Sequence, residues 1–456
     1  MLVLPTWVRY RVVALATVVA ILLYLDRYCL SLVDRRIIAD LGLTEQQMSF
    51  IHGSFFLTYA FGQMPFGYFA DRFGPRRILS SYIVLWSILT GMMGLARGFG
   101  DLLIYRLGCG LFESGAYPAC SGMIRRWVPI TQRGTASGIV SLGGRIGGAI
   151  TPFLVSRMLL VFGSVATINT LFYGETWRPT FVAFGAFGVA VAVYFAFRHR
   201  DNPREHPEVN EAEIALIEAP APAAGSAVKT EREESFSAAP PPVTIAAEPL
   251  PVAVLIPRIL SNFHFWLLSV YQFGANFGWA FFLTYLNRYL QEVHGVTDDT
   301  ERGTIQTIIL TFALPALILG GLLTDMITRR LGQRWGRVLP LTIPRILAGL
   351  AYAAVVLVEP GSVWTVTFLF ATVLFCSEVC LPSIWAYCMD VGGRNTALVL
   401  GWGNMIGNLG AFASPVVVQY LVEHYGWNAV WLTCSGVFIG MSLLCLGIDS
   451  RNKIAD

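Results

Sequence analysis

The sequence predicts an all-α membrane protein: twelve transmembrane helices in two six-helix bundles, with both termini cytoplasmic. Three observations carry that reading. Of 456 residues, 55% are hydrophobic and only 13% are charged, about half the roughly 25% charge of a soluble domain; mean hydropathy is +0.59. Apolar runs recur at the length of about 20 residues that a helix needs to cross hydrocarbon. Arginines cluster in every second connection between those runs, as in cytoplasmic loops.

Six runs precede a polar break, at about 12–33, 49–70, 78–97, 102–124, 134–158 and 179–197. Six follow it, at about 262–286, 303–326, 338–358, 363–388, 396–421 and 427–447. The first run is longer than the roughly 7–15 residues of a signal-peptide core, holds two charges and precedes no small-residue cleavage site, so it is expected to remain as a span. The expected domains are residues 1–198, a cytoplasmic linker at 199–260 and residues 261–456. The middle of the linker, APAPAAGSAVKTEREESFSAAPPPVTIAAEP, is rich in Pro, Ala and Glu and reads as disordered because it has too little apolar surface to bury. The stretch Pro207–Glu218 before it reads as a short amphipathic surface helix.

Orientation follows from Arg9/Arg11, Arg72/Arg76/Arg77, Arg125/Arg126/Arg133, Arg198/Arg200/Arg204 and Arg329/Arg330/Arg334/Arg337, which alternate with acidic or sparse connections such as Glu292 to Glu301. The net charge of +3 gives no reason to expect nucleic acid. All eight cysteines fall in apolar segments without metal-ligand spacing and read as small buried hydrophobes. No cofactor and no metal are expected.

The two halves echo each other. GYFADRFGPRR after the second span has a counterpart in GGLLTDMITRRLGQR after the eighth. Arg133-Gly134-Thr135-Ala136 opens the fifth span and Arg394-Asn395-Thr396-Ala397 opens the eleventh; these spans end in Thr151-Pro152 and Ser414-Pro415. Two related bundles are the architecture of alternating access. In Gly67-x-x-x-Asp71-Arg72-x-Gly74-x-Arg76-Arg77, Gly67 allows close helix approach while Asp71 and Arg72 latch the halves electrostatically in one state. Gly321–Asp325 with Arg329 and Arg330 is the second copy. The pattern looks like the signature loop of the major facilitator superfamily.

Charges inside the spans mark the site. Asp26 and Arg27 are adjacent within VVALATVVAILLYLDRYCLSLV, where each charge costs roughly 2.5–3.5 kcal/mol on insertion scales. Arg106 and Glu113 share a face of the fourth span about 10 Å apart along the axis, so each needs a partner elsewhere. Asp26 is expected to pair with Arg106, while Arg27 faces the polar path and holds a substrate anion with its planar, permanently charged fork. Asp26 and Glu113 then load and release protons. The alternative is a static cluster that fixes helix packing.

From Tyr24 to Pro152 the chain resembles the anion:cation symporter family of the major facilitator superfamily. The matching stretches are LDRYCLS, FFLTYAFGQMPFGYFADRFGPRR, YRLGCGLFESGAYPA and RRWVPITQRGTASG, with MDVGGRNTALVLGWGNMIGNLGAFASP in the second half. That family includes bacterial carriers of sugar acids and hexuronates and the vesicular glutamate and sialic acid transporters. The resemblance implies that Asp26 and Glu113 are the protonation pair, Arg27 the carboxylate anchor and Arg106 the coupling arginine. It further implies that Tyr24 and Tyr59 hydrogen-bond the substrate, with Asn404, Trp385 and Ser383 as contacts from the second half. Thr151-Pro152, in place of the Gly-Pro pair of drug antiporters, favours symport over export.

The chain also departs from the family pattern, and both Arg145 and, in the tenth span, Glu378 either face the site or are buried in helix packing. Arg145 adds a cation where sugar-acid carriers commonly have a neutral side chain. Either it faces the site and the substrate carries a second negative charge, or it is buried against another helix or paired with Glu378. Arg345, nearer a cytoplasmic end, is expected to snorkel. Gln272 and Asn276, and Asn404 and Asn408, are i,i+4 pairs that line a cavity or glue helices together.

The expected activity is proton-coupled uptake of a small organic anion, a sugar acid or other carboxylate, by a monomer in the inner (cytoplasmic) membrane. Its partners are the anion, protons and the lipid bilayer. It is not expected to be an enzyme. A neutral-sugar or peptide porter on the same fold, which would not need Arg27, and a non-transporting sensor remain as alternatives.

Overall fold

The computed structural model describes residues 4–172, 174–219 and 249–455, all-helical apart from turns. The first half contains α1 (Val8–Leu41), α2 (Glu45–Phe73), α3 (Pro75–Met93), α4 (Phe99–Glu113), α5 (Ala116–Trp127), α6 (Arg133–Ser164), α7 (Ala166–Leu171), α8 (Trp177–Arg198) and α9 (Glu211–Glu218). The second contains α10 (Val252–Ser261), α11 (Phe263–Thr284), α12 (Leu286–His294), α13 (Asp299–Phe312), α14 (Leu314–Val355), α15 (Val363–Gly392), α16 (Thr396–Tyr425) and α17 (Trp427–Cys445).

Among the described residues six helical stretches are long and apolar enough to cross a membrane, or seven with the pair α10–α11, which bends by 80°. Two of the six are far longer than a bilayer: Glu301–Val355 has 55 residues and Val363–Tyr425 has 63, against about 20 for one crossing. Each is interrupted within its length. Gly332 breaks α14 with φ 81°, and the turn Gly393–Asn395 separates α15 from α16. Gly74, with φ 85°, makes the same break between α2 and α3; a side chain is strained in that region of backbone space. The fourth expected span is broken at Ser114–Gly115 into α4 and α5, of 15 and 12 residues, each too short alone.

Helices overrun the expected spans because hydropathy registers only the part in hydrocarbon. α1 begins four residues before the expected 12 and ends eight past 33. α2 starts at a reciprocal cap in which Gln47 N donates to Thr44 Oγ1 and Thr44 N to Gln47 Oε1, at 3.2 and 2.9 Å, satisfying two first-turn donors.

The chain forms two compact units. One takes the described residues of Met1–Val128, Ala136–Ile217 and Ala397–Leu409; the other those of Pro129–Thr135, Glu218–Thr396 and Gly410–Asp456. The first is packed around Phe55, Ile51, Cys29, Trp177 and Phe181. The second has an aromatic core in which Trp431 meets Phe281, Tyr289 and Phe370 at centroid distances of 4.7, 4.6 and 5.2 Å. The eight cysteines are buried thiols.

The expected surface helix is α9, which is anchored to α1. Glu213 is fully buried and accepts from Arg9 N and Arg9 Nη1 at 3.0 and 3.2 Å and from Thr6 Oγ1. Most of the linker that reads as disordered, residues 220–248, lies outside the described residues.

His199, which caps α8, is buried between Phe195 and Trp127, at ring distances of 5.1 and 6.2 Å. The Asp201 carboxylate, 3.7 Å from Nε2, is committed to the Arg76 N–H at 2.8 Å. Burial first, then Arg126, Arg76, His206 and Arg200, hold the imidazole down at about 3. The folded value lies below the unfolded 6.5, so this contribution to stability is whole above pH 6.5 and is lost as pH falls from there toward 3. The loss reaches about 2 kcal/mol at pH 5. His199→Phe keeps the ring stack, and its melting temperature is expected to fall less between pH 7 and 5. An unchanged slope would count against His199 as the source.

Candidate functional site

The charged core of the first unit is built by α1, α2, α3 and α4. Successive residues of a helix point about 100° apart, so Asp26 and Arg27 meet different neighbours. Asp26 faces α3 and accepts from Trp86 Nε1 at 3.0 Å. Arg27 faces α2 and α4: its Nη2 lies 3.1 Å from Glu113 Oε2, and its guanidinium lies 4.6, 4.9 and 5.3 Å from the ring centroids of Tyr59, Phe55 and Tyr24. Arg106 lies 4.3 Å from the Phe55 centroid and reaches the Arg27 carbonyl at 3.4 Å. One aromatic ring thus carries both cations, a favourable cation–π arrangement in a dry site.

The expected Asp26–Arg106 pairing is corrected: the ion pair is Arg27–Glu113. The Trp86 indole occupies the side of Asp26 that faces α3, and Arg106 is held by Phe55 and a backbone oxygen. Glu113 is fully buried, with Asp26 and Arg106 at 3% and 2% exposure, whereas the Arg27 side chain keeps 15%. Of the four, Arg27 is the one that a solute can reach.

The set is under-satisfied. Asp26 Oδ1, Glu113 Oε1, Arg27 Nε and Arg106 Nε are buried without a hydrogen-bond partner among the described residues, and each such group costs about 1–3 kcal/mol or more. Glu113 engages Arg27 through one nitrogen only, so the guanidinium keeps donors beyond that pair. Formal charge over the four is zero, two acids against two arginines. Adding one proton and one monoanion keeps it zero.

Tyr59 is buried and stacks on Phe55 at 5.6 Å; Tyr24 is half-buried and stacks on Tyr28 at 6.0 Å. Asn404 belongs to this unit. The antiparallel approach of α16 to α2 begins where a Cβ on Gly67 would lie 2.5 Å from the Ala397 carbonyl oxygen and continues at Gly401, against the Gln63 backbone. One further turn brings Asn404 to the level of Tyr59. Arg145 lies on α6 beside Gly144, a half-buried position.

In the second unit Ser383 is fully buried and donates to the Arg337 carbonyl at 2.8 Å, so it ties α15 to α14 in this structure. Trp385 and Glu378 are buried, at 3% and 6% exposure. Arg345 does not snorkel. It is 2% exposed, donates to Tyr271 Oη and Ser377 Oγ at 3.2 and 2.8 Å, and lies 4.7 Å from the Phe438 centroid. The surrounding α11, α15 and α17 leave its stem no route to the interface.

In the repeated loop motif each acid caps the start of a helix. Asp71 accepts from Ala397 N and Leu398 N at 3.1 and 2.9 Å. Asp325 accepts from Gly134 N and Thr135 N at 2.9 and 2.8 Å and from Thr135 Oγ1 at 2.5 Å. Each acid sits on the N-terminal turn of a helix within its own unit, where unpaired N–H groups and the helix dipole favour negative charge. Arg72 is exposed.

Several residues of these clusters went unread in the sequence. Phe55 precedes Tyr59 by four residues and so shares its face, a usable signal. Trp86 had none, being one aromatic in an apolar span. Asp390 and Arg337 form a buried pair at 2.8 Å; Asp390 lies inside a matched stretch, and Arg337 was counted only as a loop cation.

Comparison with known proteins agrees in kind with this architecture. The chain is 26% identical to a probable sulfoacetate transporter of Cupriavidus necator, over 98% of this chain and 96% of that one. It is 27% identical to the probable galactarate/D-glucarate transporter GudP of Bacillus subtilis, over 92% and 87%. The solved proton:xylose symporter XylE shares the fold, with a TM-score of 0.69 at 15% identity over 98% and 97% of the two chains. The model of the Major Facilitator Superfamily matches residues 16–415. With two repeat-related capping acids, a charged core within apolar helices and a family match over most of its length, the chain belongs to the Major Facilitator Superfamily, whose members are transporters and not enzymes.

Proposed function

We propose that this protein is a secondary active transporter that takes up a small organic anion, a sugar acid or other carboxylate, together with protons by alternating access. It acts as a twelve-span monomer in the inner (cytoplasmic) membrane with both termini in the cytoplasm. The observation that carries the reading is the single-point Arg27–Glu113 pair, its cation reachable and its acid buried. A proton on Glu113 cancels the charge that holds Arg27, and the freed fork then binds the substrate carboxylate bidentately. Loss of the proton restores the pair and expels the anion. Asp26 is the second proton site and Arg106 the cation that sets the field on both acids. Tyr24, Tyr59 and Asn404 surround the anion.

Sulfoacetate, galactarate and glucarate, named for the two relatives, are all carboxylates and fit that reading. Gly67, Asp71, Arg72 and Asp325 form the conformational gate, in which each acid holds a helix start in one state and releases it in the other.

The test is uptake into proteoliposomes under an imposed pH gradient. Glu113→Gln fixes the neutral form of the acid, so counterflow exchange is expected to continue while pH-driven accumulation disappears. Full accumulation by this variant would sink the coupling role of Glu113.

A further inference from the structure

The charge balance of the first unit raises a question about the substrate's own charge. Asp26, Glu113, Arg27 and Arg106 sum to zero, and one proton with one monoanion leaves them at zero. A second acid group on the substrate, entering with that one proton, would bring an uncompensated negative charge into a site of low dielectric, where a lone ion costs several kcal/mol. Arg145 is a further cation of this unit, on the stretch of α6 that packs against Tyr24, the ring beneath Arg27.

α6 is pressed against α1 and α5 where it carries that arginine. A Cβ on Gly144 would stand 2.5 Å from Tyr117 Oη and 2.7 Å from Tyr24 Cε2, and one on Gly148 3.4 Å from Tyr28 Cε2 and 3.5 Å from Tyr24 Cδ1. Tyr24 stacks on Tyr28 and lies under the Arg27 guanidinium. Arg145 follows Gly144 directly. It also stands three residues before Gly148, so it shares the face of α6 on which Gly148 meets Tyr28 and Tyr24. Arg27 and Arg145 are therefore carried on the two helices, α1 and α6, that meet at one tyrosine cluster.

We propose that Arg145 is a second anion anchor and that the preferred substrate is a small dianion, a dicarboxylate or a sulfonated carboxylate. Arg27 holds one acid group and Arg145 the other, with tyrosine hydroxyls between them. This rests on the reading that Arg27 anchors an anion, and adds the second charge.

The test measures binding to the purified full-length chain by titration calorimetry with matched pairs that differ by one acid group: galactarate against galactonate, and sulfoacetate against acetate. The wild type is expected to bind the dianion of at least one pair 10-fold or more tightly than its one-acid partner. Arg145→Gln is expected to collapse that ratio toward one, and Arg145→Lys to keep most of it. A wild-type ratio near one, or a ratio that survives Arg145→Gln, overturns the proposal while leaving the anion reading in place. Binding of none of the four compounds overturns both. The wild-type ratio needs no variant, so poor folding of Arg145→Gln would not shelter the idea.

Discussion

Arg27→Gln is expected to lower uptake at least 100-fold and to remove the shift in melting temperature that a bound anion produces. The guanidinium is the one reachable cation of the charged core, and the residue is also the counter-charge of a fully buried carboxylate, 3.1 Å away. Breaking a buried pair by removing one partner costs roughly 3–5 kcal/mol, and 1.4 kcal/mol is a factor of ten. Glu113 can escape part of that cost by binding a proton, so stability should fall less than affinity does. The double variant Arg27→Gln/Glu113→Gln separates the two effects. It removes the stranded charge, so its melting temperature should recover toward wild type while uptake stays lost. Arg27→Lys retains the charge but not the planar fork, and an intermediate loss of about 10-fold is expected. Wild-type uptake by Arg27→Gln would show that another residue holds the anion.

How much of this was legible depends on what kind of signal each feature leaves. Hydropathy and arginine placement locate the helices because both act over twenty or more residues and do not depend on neighbours in space. The four charges of the core were equally visible, since an ion in an apolar run stands out by itself. Their partners were not. Helix phase says that Asp26 and Arg27 diverge, but not which of α3 and α4 each one meets, so it leaves Arg106 open to Asp26 on the side that Trp86 takes. The same limit applies to the repeated motifs. The two GxxxD loops and the two Arg-x-Thr-Ala helix starts were both read as echoes, yet sequence alone gives no reason to join them. In the structure each acid caps one of those helix starts, Asp71 that of α16 and Asp325 that of α6. Arg345 failed for a related reason: distance along a helix suggests a route to the interface, and only the helices packed around it show that the route is closed.

The same reasoning from partners makes Asp390 a vulnerable position in the second unit. Its carboxylate, with no exposed side-chain surface, is shared by Arg133 Nη1 at 3.0 Å and Arg337 Nε at 2.8 Å. Arg337 is itself fully buried and donates also to Thr328 Oγ1 at 2.7 Å and the Ile130 carbonyl at 3.5 Å. Asp390→Asn leaves two cations facing each other with one of them wholly out of water. A loss of about 3–5 kcal/mol is expected, read as a fall in unfolding midpoint in detergent larger than that of any single variant of Arg133. Arg133→Gln should cost less, because its side chain keeps 14% exposure and Asp390 retains Arg337. Replacing the inner pair together, as Asp390→Leu/Arg337→Met, should recover most of the loss, since a buried ion pair exchanged for packed apolar groups of similar size is often neutral. If the double variant is no more stable than Asp390→Asn, stranded charge is not the main cost, and the Arg337 hydrogen bonds to Thr328 and Ile130, which only the double variant gives up, outweigh its relief. These partners join the start of α6 to α14 and α15, so in that case the contact works as a geometric tie within the unit, with its charge incidental.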